Sequence, residues 1–165
     1  MTDSELAELS LQVGQALLRR KATLTTAESC TGGWIAKVLT DISGSSAWFE
    51  RGFVTYSNDA KQQMVGVQAQ TLADNGAVSE PVVREMAAGA LKAARATFAV
   101  SVSGIAGPDG GTPQKPVGTV WFGFADDIGR TEAMVKQFSG DRDAVRRQAV
   151  SFALNTLRQQ FLQNT

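Results

Sequence analysis

Two residues have the types and surroundings for acyl-transfer chemistry: Ser29 as a hydroxyl nucleophile and Lys61 as an amine base. Ser29 stands in Glu28-Ser29-Cys30-Thr31-Gly32-Gly33, where a strand-like stretch gives way to a helix-like one. That junction places a small nucleophile at the positive end of a helix, beside unpaired backbone N–H groups. Gly32 and Gly33 carry no side chains to keep a substrate carbonyl from those donors, so with Thr31 the turn could form an oxyanion hole. The segment lacks the Gly-x-Ser-x-Gly spacing of a nucleophile elbow. The simpler alternative stays open on local grounds: Ser29 or Thr31 caps the helix, and the glycines only permit a tight turn.

The base must come from an unusual source. The chain has no histidine and a single cysteine, Cys30. Within this chain that excludes a Ser-His-Asp triad, a Cys-His dyad, a histidine-ligated metal, an intrachain disulfide and a cysteine zinc site. Lys, Asp, Glu and Tyr remain, and a lysine kept neutral by burial or by neighbouring charge leads them. Lys61 lies in Tyr56-Ser57-Asn58-Asp59-Ala60-Lys61, a strand end turning into a helix. There Tyr56 could relay or orient a proton and Asn58 could fix the turn. Against this stands the ordinary reading of Lys61 as a solvated helix lysine. Cys30 is a rival nucleophile, helped by the helix dipole, although free cysteine commonly serves as small core filler.

Two further segments could bind rather than react. Gly104-Ile105-Ala106-Gly107-Pro108-Asp109-Gly110-Gly111-Thr112 follows an apolar strand, the end of an open α/β sheet where ligands gather. Its glycines would let backbone N–H groups approach an anion or a sugar. It is neither a P-loop nor Gly-x-Gly-x-x-Gly, and a plain surface loop is an equal alternative. In Ser139-Gly140-Asp141-Arg142-Asp143, Arg142 opposes the dipole of a helix start. It could bind phosphate there, or simply pair with Asp141 or Asp143.

The elements that must position these groups alternate. A helix capped by Ser4 runs to about Lys21 with Leu6, Leu9, Val13, Leu17 and Leu18 at spacings of three and four. Thr23 to Ala27 reads as a strand, Trp34 to Leu39 as a helix, Ser43 to Ser46 as a loop and Phe49 to Tyr56 as a strand. Ser57-Asn58-Asp59 caps a short helix through Lys61 and Met64. Ser79-Glu80-Pro81 starts another, with Val82, Val83, Met86, Ala87, Ala90 and Leu91 inward. Phe98 to Ser103, Val117 to Ala125 and Thr131 to Phe138 read as strands, the last two joined at Asp126 to Gly129. A final helix from about Asp141 buries Val145, Ala149, Phe152, Leu154, Leu157 and Phe161. The expected fold is one α/β layered domain over residues 1–165, a mixed sheet flanked by helices.

Composition narrows the class. Sixteen basic residues balance sixteen acidic ones in a chain of 165 that is 43% hydrophobic. That suits one domain with a real core and argues against retention on nucleic acid by bulk charge. The acidic, polar start does not read as a signal peptide, and no apolar run approaches a bilayer span. A cytoplasmic, membrane-free protein is the expectation.

Taken together, Ala27-Glu28-Ser29-Cys30-Thr31-Gly32-Gly33, Tyr56-Ser57-Asn58-Asp59-Ala60-Lys61, Gly76-Ala77-Val78-Ser79-Glu80, Ser103-Gly104-Ile105-Ala106-Gly107-Pro108-Asp109-Gly110-Gly111 and Lys115-Pro116-Val117-Gly118-Thr119-Val120 closely resemble the CinA C-terminal domain family. The segments stand in family order over nearly the whole chain. Stand-alone members include nicotinamide-nucleotide amidases. The resemblance therefore implies hydrolysis of nicotinamide mononucleotide to nicotinate mononucleotide and ammonia, in pyridine-nucleotide salvage. It makes Ser29 the nucleophile, Lys61 the base and Tyr56 an assistant, with the oxyanion held by N–H groups near Thr31, Gly32 and Gly33. Asn58, the loop residues Gly104, Ile105, Gly107 and Asp109, and Arg142 would bind the nucleotide. No metal or organic cofactor is implied.

Longer relatives add an N-terminal domain resembling molybdopterin-binding proteins, and any pyrophosphatase activity tied to that domain is not expected here. The expected partner is a small-molecule nucleotide, and one helix face could be buried in a homodimer. Two other readings remain: a non-catalytic nucleotide-binding module using the same loops, and a DNA-associated competence factor, suggested only by the family's historical name.

Overall fold

Thr2 rather than Ser4 opens the first helix, α1 (Asp3–Arg20), in a computed structural model that describes residues 1–163. Thr2 Oγ1 accepts the Glu5 N–H and the Glu5 carboxylate accepts the Thr2 N–H, closing two orphan donors at once. Leu6, Leu9, Val13 and Leu17 face the core, whereas Leu18, one residue further round, faces solvent. The chain continues through β1 (Leu24–Glu28), α2 (Trp34–Thr40), β2 (Phe53–Val54), α3 (Asn58–Val65), α4 (Ala69–Asn75) and α5 (Glu80–Ala94). Then come β3 (Phe98–Gly104), β4 (Thr119–Asp126), β5 (Thr131–Gln137) and α6 (Arg142–Thr156), which runs on as a π-helical turn, Leu157–Leu162.

The five strands form one mixed sheet in the order β2-β1-β3-β4-β5, as expected of an α/β layered fold. β2, β1 and β3 are parallel, and β4 and β5 complete the sheet antiparallel. On one face Leu24, Val100, Val102, Phe122 and Phe124 pack under α1, α2 and α6. On the other, Ala27 meets Val65, Leu72, Val83 and Met86 of α3, α4 and α5. Strand alternation thus divides the layers. Among the described residues no helix is long and apolar enough to cross a membrane.

Several elements differ from their sequence expectations. The strand sought over 49–56 shrinks to Phe53–Val54, with Phe49 contributing one isolated bridge to Leu24. Just before it Gly52 passes so close to β1 that a Cβ there would stand 2.5 Å from Thr26 Oγ1. Ser45–Ala47 is a short 3₁₀ turn within the expected loop. Helix α4 has no counterpart among the expected elements, because its single buried position, Leu72, leaves no periodic stripe to read. Ser79 precedes α5, but its hydroxyl donates to the Gly76 carbonyl instead of capping the helix. Leu91 and Phe152 are half-buried.

One close approach holds the layer that carries Lys61. Gly89, inside α5, lies against the end of α3, where a Cβ would come within 1.7 Å of the Val65 carbonyl oxygen. No rotamer relieves a clash with backbone, so Gly89→Ala must push α3 away from α5. The expected cost is about 3 kcal/mol, the upper part of the range for overpacked cores, read from the urea midpoint. A midpoint equal to wild type would show that α3 is not pinned there.

Candidate active site

The site begins with a carboxylate turned inward. Glu28 ends β1 only 1% exposed, and its oxygens accept Thr31 Oγ1–H at 2.6 Å, Ile35 N–H at 2.8 Å and Ala36 N–H at 3.0 Å. Helix α2 needs this help because its N-cap is Gly33, at φ 99°, which has no side chain with which to cap. Glu28 therefore supplies the cap that the glycine cannot. Burial pushes its carboxyl upward against the opposing pull of the Thr31, Ala36, Ile35 and Gly33 donors. From the other side Arg146, on α6, donates to the Cys30 carbonyl at 2.9 Å and the Thr31 carbonyl at 3.3 Å. The turn after β1 is clamped at both ends.

Ser29 sits inside that clamp. Its N–H continues the sheet by donating to the Val102 carbonyl at 2.9 Å. Its Oγ lies 3.0 Å from Lys61 Nζ and 3.4 Å from the Tyr56 carbonyl oxygen. Lys61 reaches it because β2 runs beside β1, and Thr55 and Tyr56 then turn the chain over into α3. Thr55 N–H donates to the Glu28 carbonyl at 2.8 Å, and Ser57 caps α3 by accepting the Ala60 N–H at 3.0 Å. The first turn of α3 thereby directs Lys61 back toward the sheet.

Lys61 is 1% exposed, not a solvated helix lysine. Its Nζ also donates to the Thr55 carbonyl at 3.1 Å and the Tyr56 carbonyl at 3.3 Å. Among the described residues it makes no ion pair. With no carboxylate to hold the cation, burial pushes its pKa down from the ordinary lysine value of 10.5. Burial acts the opposite way on Cys30, whose thiol is pushed up to about 12. Cys30 is therefore protonated near neutrality, which removes the basis for a thiolate nucleophile.

Ser29, Cys30 and Lys61 open into a cavity of about 330 Å³ that is also lined by Tyr56, Asn58, Gly104, Ile105, Gly107, Asp109 and Arg142. The expected binding residues of the 56–61 and 104–110 segments thus converge with the dyad. Arg142 does not pair with its acidic neighbours. Its guanidinium donates to the Gly107 carbonyl at 2.7 Å and the Tyr56 hydroxyl at 3.4 Å, while Asp141 caps α6 by accepting the Ala144 N–H. Tyr56 meets the dyad through its carbonyl, and its side chain, 62% exposed, stands at the rim.

Thr31, Gly32 and Gly33 do not line the cavity. The Thr31 hydroxyl is given to Glu28 and the Gly32 N–H to the Ser29 carbonyl at 3.1 Å. The N–H groups of Cys30 and Thr31 donate to no backbone carbonyl among the described residues. Of the two residues, Cys30 lines the cavity.

Sequence reasoning gives no role to Glu28, Arg146, Ala77, Val78 or Ser103. Arg146 carries a usable signal, since it follows Arg142 by four residues and so shares its helix face. Glu28 carries none, because only the fold turns it inward. Among the described residues no group of three or more His, Cys, Asp or Glu could hold a metal ion.

The same residues fall within a region shared with known proteins. Residues 6–161 match the CinA C-terminal domain family. The Escherichia coli K12 protein named nicotinamide-nucleotide amidohydrolase PncC is 74% identical over 165 residues, the full length of both chains. A Pseudomonas putida protein of the same name is 53% identical, covering 93% of this chain and 96% of its own. Among solved structures, competence damage-inducible protein A from Klebsiella pneumoniae superposes with a TM-score of 0.92 at 42% identity, covering 97% of this chain and 99% of its own.

Proposed function

We infer the chemistry of the site from one premise: the chain belongs to the CinA C-terminal domain family. It is a hydrolase acting on an amide, as its full-length relatives named amidohydrolases are. We propose that its substrate is nicotinamide mononucleotide and that Ser29 and Lys61 carry the reaction. The observation that supports this most is the 3.0 Å approach of a buried, unpaired lysine to a serine at the mouth of a cavity.

A neutral amine has two N–H bonds and one lone pair. With both N–H bonds given to the Thr55 and Tyr56 carbonyls, the lone pair is free to take the Ser29 proton across the 3.0 Å contact, once that hydroxyl turns from the Tyr56 carbonyl. Lys61 takes that proton as Oγ attacks the carboxamide carbon. The developing oxyanion meets the amide of Cys30, which lines the cavity. Lys61 then gives its proton to the amide nitrogen, the C–N bond breaks and ammonia leaves an acyl-enzyme. Water, deprotonated by Lys61, attacks the acyl carbon and releases nicotinate mononucleotide, and the proton returns to Ser29.

The purified protein incubated with nicotinamide mononucleotide should release ammonia and nicotinate mononucleotide in equal amounts. A folded protein that binds the nucleotide without turnover would instead be a binding module. The phosphate end is assigned to Arg142, which commits only some of its five donors within the protein. Arg142→Ala should raise KM for the nucleotide about 10- to 100-fold with kcat little changed, the pattern of a lost charge-assisted contact. An unchanged KM would remove Arg142 from the phosphate site.

A further inference from the structure

β3 carries two serines on the face that looks toward α5, and they are treated differently. Ser101 donates to the Val83 carbonyl at 2.6 Å. Ser103 is 1% exposed, yet its hydroxyl makes no hydrogen bond among the described residues. Nor is it sealed away, since Ser103 lines the cavity that contains Ser29 and Lys61. A hydroxyl so deeply placed is ordinarily satisfied, and one left open to a site waits for the occupant.

Its position identifies which part of the occupant it meets. Ala27 pairs with Ser101 and Glu28 with Val102 in the parallel β1–β3 ladder, and the Ser29 N–H to Val102 carbonyl bond extends the ladder by one residue. Ser103 therefore stands beside Ser29 on the same sheet face, one strand away. A carbon attacked by Ser29 Oγ directs its oxygen to the turn that follows Ser29, where the Cys30 amide donates to no backbone carbonyl among the described residues. The nitrogen of the same carboxamide then faces β3.

We propose that Ser103 is a substrate-contacting specificity residue, its Oγ accepting an N–H of the scissile carboxamide. This rests on the amidase reading above. The contact holds the leaving nitrogen in place until the proton arrives from Lys61, and it favours amides over esters, which have no N–H to offer. The full chain and its Ser103→Ala variant are compared on nicotinamide mononucleotide and on the methyl ester of nicotinate mononucleotide. The variant should lose about 10- to 100-fold in kcat/KM on the amide, the loss expected for one substrate hydrogen bond in a dry site. Its ester hydrolysis should match wild type, which also reports an intact dyad and fold. Amide turnover within about twofold of wild type overturns the proposal, and so does an equal fall on both compounds, because that would mean contact with the carbonyl or a scaffold role. Wild-type protein inert toward both overturns the amidase reading itself, and this proposal with it.

Discussion

Ser29→Ala should abolish turnover of nicotinamide mononucleotide, with a fall of about 10⁴-fold or more in kcat while the fold is kept. The magnitude follows from the role: when the attacking atom is removed, binding and oxyanion donors alone are left to act on the substrate. Retention of the fold follows from the geometry. Ser29 holds its place in the sheet through its N–H to the Val102 carbonyl, which alanine retains, and the hydroxyl serves only Lys61 and the Tyr56 carbonyl. Nucleotide affinity should change little, because the Cys30 amide and Arg142 remain. The measurement is ammonia release under single-turnover conditions beside a binding titration. Activity within tenfold of wild type would mean that another atom attacks; Cys30, its thiol pushed up to about 12, would be a poor substitute.

Lys61→Met tests the base through activity, its pH profile and stability together. Methionine keeps the approximate volume of the buried stem and has no proton to exchange, so kcat should fall about 10³-fold, within the range of general-base removal. Lys61→Arg should not restore it, because a guanidinium stays protonated. In wild type, kcat/KM should climb about tenfold per pH unit until it reaches the pKa of Lys61, which burial holds below the ordinary 10.5. Stability should move in the same sense. Between the depressed folded pKa and 10.5 the unfolded chain binds more protons than the native one, so wild-type stability rises with pH across that window. The Lys61→Met variant lacks this slope whatever its absolute stability. Parallel stability–pH curves for the two proteins would show that Lys61 is not buried as a neutral base.

Much of the fold could be read from local pattern. The helices with several inward positions and the strands β1, β3, β4 and β5 stand close to where periodicity puts them, and the switch from parallel crossovers to a late hairpin is visible in the element order. What could not be read depends on single contacts. Thr2 out-competes Ser4 because Glu5 answers it three residues on, and position 52 passes so close to Thr26 that a side chain there would clash.

The site divides in the same way. Residue types single out Ser29 and Lys61 as candidates, but local spacing leaves Lys61 equally readable as a surface lysine. Only the resemblance of its whole segment to a family favours it. Their meeting across 32 positions of sequence is set by the parallel pairing of β1 with β2 and the turn into α3. Gly32 and Gly33 draw attention as oxyanion residues, yet neither lines the cavity and the Gly32 amide is committed within the turn. No pattern of residues along the chain reveals that Glu28 points inward to claim the Ile35 and Ala36 amides.

The two halves of the dyad belong to places of unequal mechanical security. Ser29 hangs from a strand flanked on both sides, near the middle of the sheet, whereas the helix bearing Lys61 follows a two-residue strand at its margin. Loosening that margin would separate amine from hydroxyl while the rest of the molecule stays whole. The proposed pairing of amine and hydroxyl therefore depends on the outer border of the sheet as much as on its interior.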